Sequence, residues 1–382
     1  MEKISIKLEQ TPHRYDIEIG HDLLENSGEW AKNNLSQKSK KIVIVSNAKV
    51  FRLYGEIVQK SLKKSGFEID VFLMGDGERY KNFRVFEKAL GFFSQKNLKR
   101  TDAVVALGGG VVGDLAGFAA AAYLRGVAFL QIPTTLLSMI DSSVGGKTAV
   151  NTAFGKNLIG AFHQPNGVLI DVKTLQTLPT RELTAGFCEA VKQGAISNES
   201  LFNQTADFLK NYSPNKFKNY FAVEKFLSQL ESIVSAQIKF KAQIVMQDER
   251  ESAERIDAKS RKILNFGHTF AHALEKITGY KRFKHGEAVG YGILFAAQLS
   301  KNLAILDKNR LKSLNDVVYQ SGNLPDLRGI SSTEVFGAFA FDKKQIGESL
   351  QWILLEDIGK PIIRQDISAS IVKKTLEEFI GK

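Results

Sequence analysis

The chain has 382 residues, 43% of them hydrophobic, with one cysteine and a formal net charge of +11. That length and apolar content suffice for two ordinary hydrophobic cores, whereas a single cysteine excludes an intrachain disulfide framework. The lysines are scattered over polar segments such as residues 210–218 and 239–241, with no long basic block, so most are expected on a solvated surface, and an anionic small molecule is favoured over nucleic acid or a membrane as the partner of the rest.

The first eight residues alternate between apolar and polar side chains, as an edge strand does, and lack the apolar core of a signal peptide. The longest apolar-rich run, residues 115–124, is too short to cross a bilayer. A soluble, cytoplasmic protein is therefore expected.

Short β-branched runs alternate with amphipathic helical stretches in the first half of the chain. The predicted strands are residues 42–45, 69–73, 103–107, 128–132 and 168–171, with helices at 51–65 and 83–96. Later segments are helical in period, over 183–196, 222–245, 266–277 and 286–304. The pattern predicts an α/β domain with a mostly parallel, Rossmann-like sheet over residues 1–180 and an all-helical domain over residues 181–382. Because ligands of such sheets bind at the carboxyl ends of the strands, the active site is expected in the cleft between the domains.

A glycine-rich turn follows the third predicted strand. Its glycines, Gly108, Gly110 and Gly113, have the spacing that lets a backbone approach a pyrophosphate at a helix start. The same spacing also serves close helix packing, and the turn follows a later strand than the usual dinucleotide fingerprint. A variant nucleotide site is therefore expected.

The loop after the next strand, residues 133–148, is rich in hydroxyls and glycines. It contains Asp141 and Lys147, which we expect to meet in the cleft as a pair for anion binding or proton transfer. Alternatively, Asp141 caps the following turn. The loop lacks the leading glycine of a phosphate-binding loop. Lys156 and Asn157 follow shortly after it.

Three of the six histidines, His268, His272 and His285, fall within one short stretch. The i, i+4 spacing of the first two would place both rings on one face of a helix, as a metal-binding pair or as capping or core residues. The third histidine favours a metal or acid–base site. Upstream, Glu189 and Lys192 lie three apart on an apolar helix, where a carboxylate needs a partner or a bound cation. Glu189 is therefore a candidate third ligand.

Nine segments of the chain resemble the 3-dehydroquinate synthase family of sugar-phosphate cyclases, in order and nearly end to end. They are residues 76–81, 108–114, 123–126, 133–151, 155–162, 189–192, 264–269, 285–287 and 342–344. The resemblance implies a lyase of the shikimate pathway, which serves aromatic amino acid biosynthesis, that depends on NAD and on Zn²⁺ or Co²⁺. Its implied reaction converts 3-deoxy-D-arabino-heptulosonate 7-phosphate, a phosphorylated sugar acid, to 3-dehydroquinate and phosphate. The implied steps are transient oxidation by NAD, β-elimination, reduction and intramolecular aldol closure. The resemblance also implies that the protein is usually a homodimer.

The resemblance also assigns the site residues. The metal ligands are Glu189, His268 and His285, while His272 moves to the substrate side and assists proton transfer. The other catalytic or substrate-binding residues are Asp141, Lys147, Asn157, Lys192, Arg261, Asn265, one of Lys343 or Lys344, and Arg125, which would reach the phosphate from the neighbouring subunit. The NAD-binding residues are Asp76, Gly77, Glu78, Arg79, Tyr80, Lys81, Gly110, Val111, Val112, Gly113, Asp114, Thr134, Thr135, Lys147, Lys156, Thr174, Leu175, Gln176 and Thr177.

One segment departs from the family pattern. Residues 252–260 are longer than usual and contain no glycine, so a longer surface loop or an extra helical turn is expected there. The alternatives are another sugar-phosphate cyclase, such as an amino-dehydroquinate or 2-deoxy-scyllo-inosose synthase, and a metal-dependent alcohol dehydrogenase of the glycerol dehydrogenase type. A basic nucleotide-binding module without activity is the non-enzymatic alternative.

Overall fold

The structure is a computed structural model that describes residues 13–252, 254, 255, 257, 259–346 and 350–381, with the backbone alone over 340–346. The edge strand predicted for the first eight residues lies outside this part of the chain. The strands are β1 (Asp16–Gly20), β2 (Lys41–Asn47), β3 (Glu68–Met74), β4 (Ala103–Gly108), β5 (Ala128–Pro133), β6 (Lys147–Thr152), β7 (Gly155–Phe162), β8 (Gly167–Asp171), β9 (Trp352–Asp357) and β10 (Lys360–Arg364). The helices are α1 (Ser27–Asn34), α2 (Ala48–Val50), α3 (Glu56–Lys64), α4 (Phe83–Gln95), α5 (Gly110–Ala122), α6 (Thr180–Ser197), α7 (Glu199–Asn211), α8 (Glu224–Gln247), α9 (His268–Ile277), α10 (His285–Asn302), α11 (Lys308–Gln320), α12 (Ser332–Ile346) and α13 (Ala369–Ile380).

Six strands form one parallel sheet in the order β1-β8-β5-β4-β2-β3. The inner strands are near-continuous apolar runs because both faces of the sheet are covered, and all six residues of β4 are buried. All five predicted strands lie in this sheet. The sequence pattern did not predict the edge strand β1 or the antiparallel hairpin of β6 and β7.

Helix α4 shows why the segments between the strands are helical. The Asn82 side chain accepts a hydrogen bond from the Val85 N–H, which satisfies a free donor at the start of the helix. Phe86, Ala89 and Phe93 then recur at helical spacing and are buried in the core on one side of the sheet.

The order of the strands creates a crevice at the carboxyl ends of β2 and β4. From β2 the chain passes to β3 on one side and then returns to β4 on the other side. In open parallel sheets, ligands bind at the carboxyl ends of the strands where the order reverses in this way. The glycine-rich turn between β4 and α5 lies at this point.

The second half of the described chain is mainly helical, and α10 packs against α6, α9, α11 and α13. The prediction of a parallel α/β half followed by a helical half is confirmed, although helical periodicity did not predict the antiparallel hairpin of β9 and β10. The largest buried cluster joins Val168 and Ile170 of β8 to the helical core. Helix α6 begins at the predicted boundary, but the division into two domains stays a prediction. Among the described helices, none combines the length and apolar character needed to cross a membrane.

Asp102 holds the amino-terminal end of the sheet together. Its carboxylate is 3% exposed and accepts hydrogen bonds from the backbone N–H groups of Lys40, Lys41 and Lys99 at 3.1, 3.1 and 2.8 Å. Asp102→Ala would leave these donors without their acceptor, and we expect it to lower the free energy of unfolding by about 3 kcal/mol. Urea denaturation measures this loss. A loss below about 1 kcal/mol would show that water replaces the carboxylate at little cost.

Candidate active site

Three helices bring Glu189, His268 and His285 together. Glu189 lies on the buried face of α6, and the histidines are the first residues of α9 and α10. Glu189 Oε1 lies 3.5 Å from His285 Nε2 and 4.0 Å from His268 Nε2, and one ligand atom from each residue lies within 4.8 Å of the others. The structure thus brings together the three residues expected to bind the metal.

The chemistry of this cluster fits a divalent metal. Glu189 is fully buried, and its Oε1 accepts no hydrogen bond from the described residues. Ligand atoms about 2.0–2.2 Å from a tetrahedral zinc lie roughly 3.3–3.6 Å from one another, close to the separation of Glu189 Oε1 and His285 Nε2. A buried carboxylate oxygen facing two imidazole nitrogens is an arrangement that a cation would complete.

Main-chain contacts fix the three ligand-bearing helices relative to one another. A Cβ atom on Gly286 of α10 would lie 2.0 Å from the Ala185 carbonyl oxygen of α6. A Cβ on Gly292 would lie 1.9 Å from the carbonyl oxygen of Gly267, which precedes α9 and has a φ of 81°. Only glycine permits these approaches, so the ligand positions are set by backbone packing.

Both ligand histidines have an acceptor close to Nδ1. His268 Nδ1 lies 3.3 Å from the Phe266 carbonyl oxygen, and His285 Nδ1 lies 3.3 Å from Glu275 Oε2. A proton on each Nδ1 leaves Nε2 free to bind a metal. The ring of His272 lies 5.5 Å from that of His268 and 6.2 Å from that of His285, beside the cluster.

The three imidazoles differ in their electrostatics. Burial, with the Lys192 ammonium nearby, lowers the pKa of His268 well below its usual value. Burial and His285 lower the pKa of His272 to about 4. Burial also disfavours a charged His285, but the Glu275 and Glu189 carboxylates outweigh it and raise the pKa of His285. Positive charge is therefore stabilised next to these carboxylates, as at a cation site.

Two further ion pairs of buried lysines with acids involve or adjoin the cluster of Glu189, His268 and His285. Lys192 Nζ lies 2.6 Å from Glu189 Oε2, as the i, i+3 spacing predicts. Asp141, on the turn Ser138–Ser142, forms an ion pair with Lys241 of α8. Burial would raise the pKa of Asp141, but the ammonium groups of Lys241 and Lys192 hold it below its usual range. Two cations thus lie beside the ligand cluster.

The predicted pair of Asp141 and Lys147 is wrong for this structure. The Asp141 carboxylate forms an ion pair with Lys241, which lies on the buried side of α8. Lys147 is half-exposed at the start of β6 and pairs with Glu251. The alternative in which Asp141 caps a turn is not what is seen either, because its side chain bonds to the Lys241 ammonium.

Glu251 lies among several residues that were expected to bind substrate. Its carboxylate pairs with Lys147 and accepts a hydrogen bond from Asn265 Nδ2 at 3.2 Å. Arg261 is 2% exposed and donates to the carbonyl oxygens of Gly145 and Glu249. The segment 252–260 that follows is described only in part.

The other predicted substrate residues lie on three further elements. Asn157 is exposed on β7, with a φ of 58°. Arg125 follows the end of α5, whose 13 residues start at the carboxyl ends of the strands and run back along the sheet for about 20 Å, so Arg125 lies about that far from the start of the helix. Lys343 and Lys344 are on α12, where side chains lie outside the described residues.

The predicted cofactor residues gather around the crevice at the carboxyl ends of β2 and β4. Residues 110–114 form the first turns of α5, whose exposed N–H groups suit a pyrophosphate. Lys81 is buried and pairs with Asp114, while Asp76 Oδ1 accepts a hydrogen bond from Asn47 Nδ2 at 3.3 Å. Residues 76–81 follow β3, and Thr134 and Thr135 follow β5.

The last predicted cofactor segment, residues 174–177, forms a 3-10 turn after β8. Leu175 is in the hydrophobic core and the Thr174 hydroxyl donates to the Asp171 carbonyl oxygen, so these two side chains are engaged within the fold. Thr177 Oγ1 lies 2.5 Å from the Tyr54 hydroxyl. The assignment of residues 174–177 to the cofactor stays a prediction.

Sequence reasoning missed Lys241, Glu251, Asn47 and Glu275. Lys241 belongs to a segment that its composition marked as solvated surface, yet it is 6% exposed. A signal was present, because Lys241 continues the buried stripe of Val234 and Ile238 at helical spacing. A lysine on such a stripe indicates a buried partner.

The pair of Asp141 and Lys241 yields a stability prediction. Lys241→Met removes the ammonium and leaves a buried carboxylate poorly compensated, so we expect the free energy of unfolding to fall by about 3 kcal/mol. The double variant Asp141→Asn with Lys241→Met removes both charges and is expected to recover more than about 1 kcal/mol of that loss. Urea denaturation of the native chain and the variants measures both values. Additive losses in the double variant would contradict the coupling.

Comparison with known proteins agrees with this arrangement. The family model described as 3-dehydroquinate synthase N-terminal matches residues 71–185, and the model described as 3-dehydroquinate synthase C-terminal matches residues 186–345. A protein named 3-dehydroquinate synthase from Thermodesulfovibrio yellowstonii is 41% identical over 381 residues, covering 99% of this chain and 100% of that protein.

Solved structures share the fold at lower identity. A 2-epi-5-epi-valiolone synthase from Streptomyces hygroscopicus with NAD⁺ and Zn²⁺ bound has a TM-score of 0.84 at 24% identity, covering 99% of both chains. A 2-deoxy-scyllo-inosose synthase complexed with carbaglucose-6-phosphate, NAD⁺ and Co²⁺ has a TM-score of 0.81 at 24% identity, covering 95% of this chain and 96% of that one. The two family models and the full-length identity lead to one conclusion: this chain belongs to the 3-dehydroquinate synthase family.

Proposed function

We propose that this protein catalyses the reaction for which its family is named, forming 3-dehydroquinate and phosphate from 3-deoxy-D-arabino-heptulosonate 7-phosphate. The observation that carries the proposal is the cluster of Glu189, His268 and His285 beside the buried ammonium groups of Lys192 and Lys241. A cyclase acting on a phosphorylated sugar acid needs this combination of a hydroxyl-binding metal and anion-binding lysines.

Two cofactors belong to the proposal. When bound, a divalent metal lowers the pKa of a coordinated substrate hydroxyl, and NAD takes up and returns a hydride, so that no net oxidation occurs. Glu189, His268 and His285 would hold the metal, and three protein ligands leave a coordination position for substrate. The start of α5 would receive the NAD pyrophosphate, with Lys81 beside it through its ion pair with Asp114, and Lys156 would bind another part of the cofactor.

The remaining residues would bind and orient the substrate. Lys192 and Lys241 are buried next to the metal ligands, where their charges act on substrate anions with little screening by solvent. In this structure Lys147 and Asn265 contact the Glu251 carboxylate. When substrate binds, a substrate oxyanion would replace Glu251 as their partner. His272, beside both ligand histidines, would accept or return a proton at a ring nitrogen.

A homodimer is part of the same proposal. Arg125 lies about one helix length from the crevice at the start of α5, which favours a substrate phosphate bound in another copy of the chain. A C2 arrangement would make this exchange reciprocal.

The activity test follows two signals at once. Purified protein is incubated with NAD⁺, Zn²⁺ and the heptulosonate phosphate, and phosphate release is recorded together with NADH absorbance. We expect phosphate release without accumulation of NADH, because the hydride is returned within each turnover. Turnover of glucose 6-phosphate, with no turnover of the heptulosonate phosphate, would favour another cyclase. Net NADH formation from glycerol would favour a dehydrogenase.

The ligand assignment is tested by metal content. His285→Ala removes a proposed ligand and is expected to lower the bound zinc well below one ion per chain after gel filtration, whereas His272→Ala is expected to retain it. Both variants change one imidazole of the same cluster, so each serves as the control for the other. Equal zinc content in the two variants would overturn the assignment.

A further inference from the structure

Glu275 is a buried acid with no assigned role. It lies on α9, two turns after His268 and one turn after His272, and is 2% exposed. Burying a carboxylate is costly unless it is paired or hydrogen-bonded. The partners of Glu275 therefore indicate what it does.

The two oxygens of Glu275 have different partners. Oε2 lies 3.3 Å from Nδ1 of His285, and Oε1 accepts a hydrogen bond from Lys156 Nζ at 2.9 Å. On the far side of the same imidazole ring, His285 Nε2 lies 3.5 Å from Glu189 Oε1. The His285 ring is therefore held between two carboxylates, one at each nitrogen.

This arrangement distinguishes the two ligand histidines. A backbone carbonyl lies near Nδ1 of His268, whereas a carboxylate lies near Nδ1 of His285. A carboxylate at this position fixes the proton on Nδ1 and orients the ring. It also makes Nε2 more basic and so a stronger electron-pair donor to a metal. His285 needs such support, because its side chain is 37% exposed whereas that of His268 is 12% exposed.

Glu275 is itself fixed from the α/β half of the chain. Lys156 lies on β7, and its ammonium also lies 4.3 Å from the centre of the Tyr280 ring, a cation–π contact. The ion pair between Lys156 and Glu275 thus joins the hairpin of β6 and β7 to the helix that carries His268.

We infer that Glu275 is a positioning residue of the metal centre, which orients His285 through its Nδ1 and is itself held by Lys156. The inference rests on the metal site of the proposed function. It concerns the affinity and geometry of that site, since Glu275 Oε2 faces the imidazole nitrogen that does not bind the metal.

The test measures metal binding in the full-length protein. Zn²⁺ affinity is determined by competition with a chelating indicator, and Co²⁺ is used to record the visible absorption of the centre. Glu275→Ala is expected to weaken Zn²⁺ binding by about 10- to 100-fold and to change the Co²⁺ spectrum. Glu275→Gln keeps an oxygen that can accept the Nδ1 proton, so a smaller loss is expected.

Asp102→Ala is the control for a general loss of stability, because it removes a buried carboxylate at the opposite end of the sheet. It is expected to leave Zn²⁺ affinity and the Co²⁺ spectrum unchanged. Zn²⁺ affinity of Glu275→Ala within about twofold of that of the native chain would overturn the inference, as would an equal loss in Asp102→Ala. If Glu275→Ala does not fold, Glu275→Met takes its place, because it fills the space without an acceptor oxygen, and an unchanged affinity and spectrum in Glu275→Met would overturn the inference.

His285→Ala separates this inference from the proposed function. Loss of zinc in His285→Ala with full affinity in Glu275→Ala would contradict only the role of Glu275. Unchanged zinc binding in His285→Ala would contradict the metal centre itself.

Discussion

The buried carboxylate of Glu189 is the constraint on which the site depends. Glu189 is fully buried on an apolar helix, where water does not solvate its carboxylate, so other polar groups of the protein must balance its charge. Lys192 balances one oxygen from the same helix, and the other oxygen faces two imidazoles from different helices. Lys192 also lies near Asp141, which pairs with Lys241. Each of these four ions therefore has a neighbour of opposite charge.

The two halves of the chain contribute different parts of the site. The parallel sheet supplies the crevice where its strand order reverses, and the helices supply the cluster of Glu189, His268 and His285. Side-chain contacts connect the halves, notably Lys156 with Glu275 and Asp141 with Lys241. A change in the spacing of the halves would therefore alter the electrostatics on both sides.

How far the sequence predicts this site depends on the range of each contact. Strands and helices follow from local periodicity, and the pair of Glu189 and Lys192 follows from spacing on one helix. Spacing alone favours His268 with His272 as ligands, because His285 starts a separate helix, and only the family resemblance selects His285. The partner of Asp141 is a hundred residues away, at Lys241, on a stripe whose buried face depends on tertiary packing. The hairpin of β6 and β7 likewise gains its order from contacts that no local pattern shows.

The glycine contacts among α6, α9 and α10 affect how such a protein can diverge. Because Gly267, Gly286 and Gly292 bring backbones into direct contact, a side chain at any of these positions would displace the helices that carry Glu189, His268 and His285, whatever the substrate. Residues whose side chains rather than backbones make the contacts, such as His272 and Asn265, are under no such restriction. Substrate specificity can therefore change through such side chains while the backbone contacts that position Glu189, His268 and His285 stay the same.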